Sequence, residues 1–320
     1  MISLKNITKK FDEFVAVDNL SMDIKNGEVL GFLGPNGAGK STTMKMITGF
    51  MKPTEGIIKI KDMDVDVNPI ECKKLIGYLP EGAPLYGDMT PISMLKFVAY
   101  TRGMSFQEFK KALDIVVVKT EITDVINQPI DTLSKGYKRR VGLAQALIHD
   151  PEILILDEPT DGLDPNQKHH VRELIKDMAA HKAIIVSTHI LEEVEAVCSR
   201  AVIISHGKLL IDGTPDELMA KAHNHNAVVV SVGNDDADKI VETTILIAGV
   251  KGVDHIGKAD DFDRFRILPQ PGKAVAQSVS DALREANVDV HELYVERGGL
   301  DDVFRQITVS DSEFGDGSHA

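Results

Sequence analysis

The sequence predicts an α/β chain built largely on a parallel sheet, followed by a smaller α+β unit. Three observations point there. Apolar runs "ILILD" (153–157), "AIIVS" (183–187) and "AVIIS" (201–205) are separated by helical segments, the pattern of parallel strands buried on both faces. "GPNGAGKST" (34–42) lies between a strand-like run and a helix-like one. After a polar break, "HNHN" at 223–226, the pattern runs strand, helix, two strands, helix, strand, the order of a ferredoxin-like unit.

Taken in order, the chain opens with strand-like runs "ISLKNI", "VAVDNLSMDI", "EVLGFLG" and "GIIKIKD", interrupted by one helix from about 39 to 47. A mostly helical stretch follows from about 91 to 149, with "ISMLKFVAYTRG" and "FQEFKKALDIVVV" apolar at helical spacing. The buried strands come next. Beyond the break, "AVVVSV" reads as a strand, "ADKIVETTILIAG" as a helix, "VDHIGKA" and "DRFRILP" as strands, "KAVAQSVSDALREA" as a helix and "VDVHELYV" as a strand. The expected division is 1–222, with a helical part at about 82–149, then 227–309, with a last helix "GLDDVFRQIT" and a frayed tail at 310–320.

The chain has 320 residues, 43% hydrophobic and 27% charged, an ordinary globular balance. Net charge is −13, and residues 225–320 hold 18 acids against 9 bases, which speaks against a nucleic-acid partner despite one basic patch, "KGYKRR". Without an apolar run of roughly 20 residues or an apolar core near the start, the expectation is a cytoplasmic chain. Cys72 and Cys198 have no metal or redox spacing and read as small buried hydrophobes, and His223 and His225 as solvated loop.

The chemistry sits in short motifs. Gly34, Pro35, Asn36, Gly37, Ala38, Gly39, Lys40, Ser41 and Thr42 form a phosphate loop, whose glycines turn backbone N–H groups inward at a helix N-terminus. Lys40 is expected to reach the β- and γ-phosphates and Ser41 to hold Mg²⁺. Asp157, at the end of "ILILD", is a second Mg²⁺ ligand; Glu158, one residue on, points elsewhere and orients or deprotonates the attacking water. "AIIVSTH" ends in His189 at the strand end, where open α/β sheets bind ligands. "LSKGYKRR" places Ser134 as a helix cap and offers a second anion site.

The order of phosphate loop, "LSKGYKRR", "ILILDEP", "GLDP" and "STH" resembles the nucleotide-binding subunit of an ATP-binding-cassette (ABC) transporter over roughly residues 1–220. The resemblance implies an ABC ATPase core with a β subdomain and a helical signature subdomain. It implies ATP and Mg²⁺, two ATPs sandwiched in a homodimer or with a paired ATPase subunit, and Ser134 and Gly136 serving the partner's γ-phosphate. It also implies that Asp164 couples the two sites and that an aromatic ring, here Phe11, stacks on adenine.

Three departures stand out. Lys135 replaces the first glycine of the usual LSGGQ signature, and Tyr137 replaces its glutamine. Glu81, in "YLPEG", stands where glutamine is common, as a further Mg²⁺ or water ligand. The tail pattern and these variants resemble an exporter-type branch serving drug export, gliding motility and copper-site maturation. A separate integral-membrane permease, docked near 85–102, and a peripheral place on the inner face of the cell membrane follow from the resemblance. The competing expectation is a soluble mechanochemical ATPase of the same superfamily, disfavoured by a single motif set and the absence of a sustained heptad run.

Overall fold

A computed structural model describes residues 1–233, 236–259 and 261–315, the last eight of these in backbone alone. It divides into two compact units, Met1–Pro215 and Asp216–Ala320.

The first unit contains two sheets. The smaller is antiparallel, in the order β2 (Phe14–Ile24), β1 (Ile2–Phe11), β4 (Glu55–Ile60), β5 (Met63–Asp64). The larger runs β10 (Lys208–Gly213), β9 (Arg200–Ser205), β3 (Val29–Leu33), β8 (Ala183–Thr188), β7 (Ile153–Asp157), β6 (Ile76–Leu79). It is parallel except at β10, which turns back antiparallel on β9. Every residue of β3, β7 and β8 is buried, which is why these strands read as continuous apolar runs rather than alternating ones.

α1 (Lys40–Ile47), α2 (Pro69–Leu75), α6 (Pro165–Ala179) and α7 (Leu191–Val197) complete the sheet layers. One core cluster joins the two sheets: Leu4 and Ile24 from the smaller, Phe32 and Ile155 from the larger, and Met44 of α1. Cys72 and Cys198 are both buried and unpaired.

The helical part comprises α3 (Pro91–Thr101), α4 (Phe106–Lys119) and α5 (Lys135–Leu147). Each begins on a hydroxyl cap: Thr90 accepts from the Ser93 N–H, Ser105 forms a reciprocal box with Glu108, and Ser134 accepts from the Tyr137 N–H.

His149, just beyond α5, bonds the Ile76 carbonyl through Nε2 at 3.1 Å. Burial, with the Arg102 guanidinium adding to it, pushes its imidazole down from 6.5 to about 4. Between those values the unfolded chain binds more protons than the folded one, so stability is lost as pH falls from about 6.5 to about 4, by about 3 kcal/mol. Removing the titrating ring in His149→Gln should flatten that limb, measured as urea midpoints at matched pH values.

In the second unit α8 (Pro215–Met219) leads to a four-stranded antiparallel sheet in the order β12 (Val250–Ala259), β13 (Phe262–Pro269), β11 (Val228–Gly233), β14 (Val290–Val295). α9 (Ala237–Thr244) and α10 (Ala276–Glu285) cover one face, burying Val230, Ile240, Phe265, Ile267, Val279 and Leu283.

Three boundaries differ from the sequence reading. The second unit starts before the polar break, because the chain around the break packs within it: His225 Nδ1 bonds the Arg297 carbonyl at 2.6 Å and the Asn226 N–H the Glu296 carbonyl at 2.9 Å. α9 stops at Thr244 instead of continuing to 249, where Gly249 turns with φ +97° into β12. The last helix, α11 (Leu300–Gly315), runs on into the stretch expected to fray; residues 316–320 of that expected tail lie outside the described residues. Among the described residues no helix is long and apolar enough to cross a membrane.

Candidate functional site

The order β3–β8–β7 sets three chemically loaded strand ends side by side. Leu33 pairs with Thr188, and Asp157 with Ser187, so the loops after these strands leave the sheet at one edge. The loop after β3 runs from Gly34 to Gly39 and enters α1. Gly39 has φ +102° and lies against the Ala16 carbonyl, leaving no room for a side chain in either respect. A Cβ at Gly34 would strike the Ile204 carbonyl of β9. Lys40 is buried, and its ammonium donates to the carbonyls of Gly34 (2.6 Å) and Pro35 (3.1 Å). Burial lowers its pKa, opposed by the carboxylates of Glu158, Asp157 and Glu81.

One cleft of about 410 Å³ gathers Phe11, Asn36, Gly37, Gly39, Lys40, Ser41, Thr42, Glu81, Asp157 and Glu158. Gly34, Pro35 and Ala38 shape the loop without lining it; Ser134, Gly136 and Asp164 also lie outside the lining. Ser134 caps α5, Gly136 is buried in its first turn, and Asp164 caps α6 by accepting from the Gln167 N–H at 2.9 Å. His189 joins the cleft indirectly, its Nδ1 lying 2.9 Å from both carboxylate oxygens of Glu158.

Asp157 and its neighbour diverge for a backbone reason. Asp157 is buried and accepts a hydrogen bond from the Ser187 hydroxyl. Glu158 has φ +53°, a left-handed conformation costly for a residue with a side chain. Its N–H is held by the Ser187 carbonyl at 3.0 Å. Its carbonyl and that of Asp157 both accept from Arg139, whose Nη1 also reaches the Pro80 carbonyl at 2.9 Å. The turn therefore sends the Glu158 carboxylate toward His189 and away from Asp157.

Sequence reasoning missed four of these residues. Phe14 lines the cleft opposite Phe11 because the two flank the β1–β2 turn as a cross-strand pair. Arg139 and Arg140, read only as part of a basic patch, are both buried. Arg140 bonds Glu121 at 3.1 Å and lies 4.3 Å over the Tyr137 ring. Glu193, one of several similar acids in α7, is buried and accepts from the hydroxyls of Thr160 and Thr188, the latter at 3.0 Å. It thereby ties the segment after Glu158 to the strand end before His189. Glu193→Ala removes the acceptor of both hydroxyl protons, leaving Thr188 only the Ile190 N–H it accepts, and should cost about 2–4 kcal/mol in chemical unfolding.

The chain is similar to proteins of one family. Residues 17–161 match the family model described as ABC transporter. The chain is 40% identical over 221 residues to the uncharacterised ABC transporter ATP-binding protein YhcH of Bacillus subtilis, covering 68% of this chain and 71% of that one. It is 30% identical over 312 residues to the linearmycin resistance ATP-binding protein LnrL of the same organism, covering 96% and 98%. A solved dimeric structure of the ATP-binding cassette MJ0796, in a post-hydrolysis state with ADP and Pi, superposes with a TM-score of 0.62 at 28% identity, covering 67% of this chain and 98% of that one.

Proposed function

The chain belongs to the ABC transporter family as an ATP-binding subunit, and from that premise we propose that it powers an exporter whose membrane-spanning permease is a separate chain. The observation that carries the reading is the single cleft on which phosphate loop, Asp157, Glu158 and an aromatic pair converge. ATP lies along Gly34 to Thr42, with its γ-phosphate toward Lys40 and Glu158. The adenine stacks on Phe11, so Phe11→Ala should weaken ATP binding about three- to tenfold and Phe11→Tyr should leave it nearly unchanged, as titration calorimetry would read.

The donor set suits a hard divalent cation: the Ser41 hydroxyl and the carboxylates of Asp157 and Glu81 are all oxygen ligands facing one cleft. Mg²⁺, when bound there, neutralises charge on the β- and γ-phosphate oxygens. Glu158 accepts the proton of the attacking water, and His189 holds the carboxylate in place and faces the γ-phosphate. Ser134 and Gly136, on α5 away from the chain's own cleft, complete the site of a second subunit, and Asp164 couples the two. That subunit is a copy of this chain or a paired ATPase subunit. ATP is then part of the interface, so binding favours closure and hydrolysis removes the bridging contacts.

The permease docks on a groove of about 390 Å³ between α2, β6 and the end of α3, which the 85–102 stretch expected from the sequence reaches only at Thr101 and Arg102. Exposed Phe50 and Ile70 line it beside Lys73, Lys74 and Arg102, a lining suited to an apolar segment with acidic flanks. Docking there places the chain on the cytoplasmic face of the membrane. Export, rather than uptake, is supported by the near end-to-end similarity to a resistance protein, second unit included. The second unit is an accessory domain of that exporter.

The test expresses tagged Glu158→Gln chain in its own cell and solubilises membranes with ATP and Mg²⁺. A multi-span membrane protein recovered at comparable stoichiometry supports the reading. Ribosomal proteins, nucleic acid or no membrane partner would overturn it.

A further inference from the structure

The sheet face of the second unit that α9 and α10 leave uncovered carries a cavity of about 440 Å³, built from β11, β12, β13 and β14. Ser231, in the central strand β11, pairs with Arg264 on one side and with Glu292 on the other. Neighbouring strands lie about 4.8 Å apart, so a cation and an anion flank a buried serine hydroxyl across roughly 10 Å.

The two charges do not neutralise one another. Among the described residues no carboxylate lies within ion-pair distance of Arg264, and no cation within that distance of Glu292. The contrast with Arg266, two residues along the same face, is direct. Arg266 is held bidentately by Glu296 at 2.7 and 2.9 Å. The Arg264 guanidinium instead donates through Nη2 to the Tyr294 hydroxyl at 2.6 Å, and its Nε has no hydrogen-bond partner among the described residues. Having accepted from Arg264, that hydroxyl keeps its own proton free to donate. At the other end of the cavity Phe262 and His291 stack with ring centroids 3.9 Å apart and planes 6° from parallel, forming a flat aromatic surface.

We propose that this face binds a small zwitterion of the aromatic amino-acid class. Its carboxylate meets Arg264 and the Tyr294 hydroxyl, its ammonium meets Glu292, and its ring lies against the Phe262–His291 pair. A simple anion would meet Arg264 but also the Glu292 carboxylate, and a simple cation the reverse. A molecule carrying both charges satisfies both ends. The volume lies within the range of small-molecule pockets. Because every lining residue belongs to the second unit, binding is separable from the nucleotide cleft.

The experiment titrates the full chain by calorimetry with phenylalanine, tyrosine and tryptophan, then with phenylpropionate and phenethylamine, each lacking one charge. At least one amino acid should bind, and either single-charge analogue should bind about tenfold or more weakly. Arg264→Gln and the exposed Glu292→Gln should each weaken the amino acid about tenfold, with folding checked by circular dichroism, whereas Lys40→Ala should leave it unchanged. Should Arg264→Gln not fold, Glu292→Gln and the analogue pair decide alone. No heat with any of the three amino acids up to roughly 10 mM overturns the assignment, as does phenylpropionate binding as tightly as phenylalanine, or affinity indifferent to Glu292→Gln.

Discussion

Glu158→Gln should lower ATP turnover by about 10²-fold or more while ATP affinity stays close to that of the unaltered chain. The substitution preserves volume and one oxygen acceptor but removes the group able to take a proton from water. The loss falls on the chemical step because the carboxylate's place is fixed by backbone rather than by nucleotide. The left-handed turn at Glu158, the Ser187 carbonyl on its N–H and Arg139 on its carbonyl together fix that place. His189 Nδ1 at 2.9 Å then holds the side chain from the far end. Single-turnover hydrolysis measured beside equilibrium nucleotide binding separates the two effects. Near-normal turnover would move the base to another residue.

Lys40→Ala should act at the other step and weaken ATP binding itself, by about 10²-fold. The ammonium is buried, so the fold already bears its desolvation, and three carboxylates around the cleft oppose the resulting fall in pKa. Its present partners are two loop carbonyls, neutral groups that phosphate oxygens can replace with stronger charge-assisted bonds. Alanine leaves those carbonyls and the helix N-terminus but no compensating cation. Calorimetry with a non-hydrolysable ATP analogue reads the loss directly, and unchanged affinity would contradict it. The two variants are complementary: one keeps nucleotide and stops, the other fails to take it up.

Much of this was legible because the informative features are local. A glycine-rich turn between a strand and a helix, an acid at the end of an all-apolar strand and a serine ahead of a helix each declare themselves within about ten residues. The αββαβ pattern after β11 was equally readable, since each element buries one face at its own period. What stayed hidden depends on tertiary proximity. Arg139 sits in a run of basic residues that looks solvated, and only the approach of α5 to β7 turns it inward. Glu193 cannot be told from Glu192 or Glu195 by composition or spacing; its burial comes from packing of α7 against β8. Phe14 enters the cleft through the register of a hairpin whose turn the sequence marks only by Asp12, at φ +49°. The end of α9 was misplaced because "ILIAG" continues an apolar pattern that Gly249 interrupts only at its last residue.

In the proposed dimer the phosphate loop of one chain is completed by the signature helix of another. Mixing two inactive variants tests it most directly. Lys40→Ala keeps an intact Ser134–Gly136 segment, and Ser134→Arg keeps an intact phosphate loop. In a mixed dimer one composite site is therefore whole and the other is doubly impaired. Each variant alone should be inactive, and an equimolar mixture should recover about a quarter of the unaltered rate, rising with protein concentration. A mixture as inactive as its two components at every concentration would contradict it.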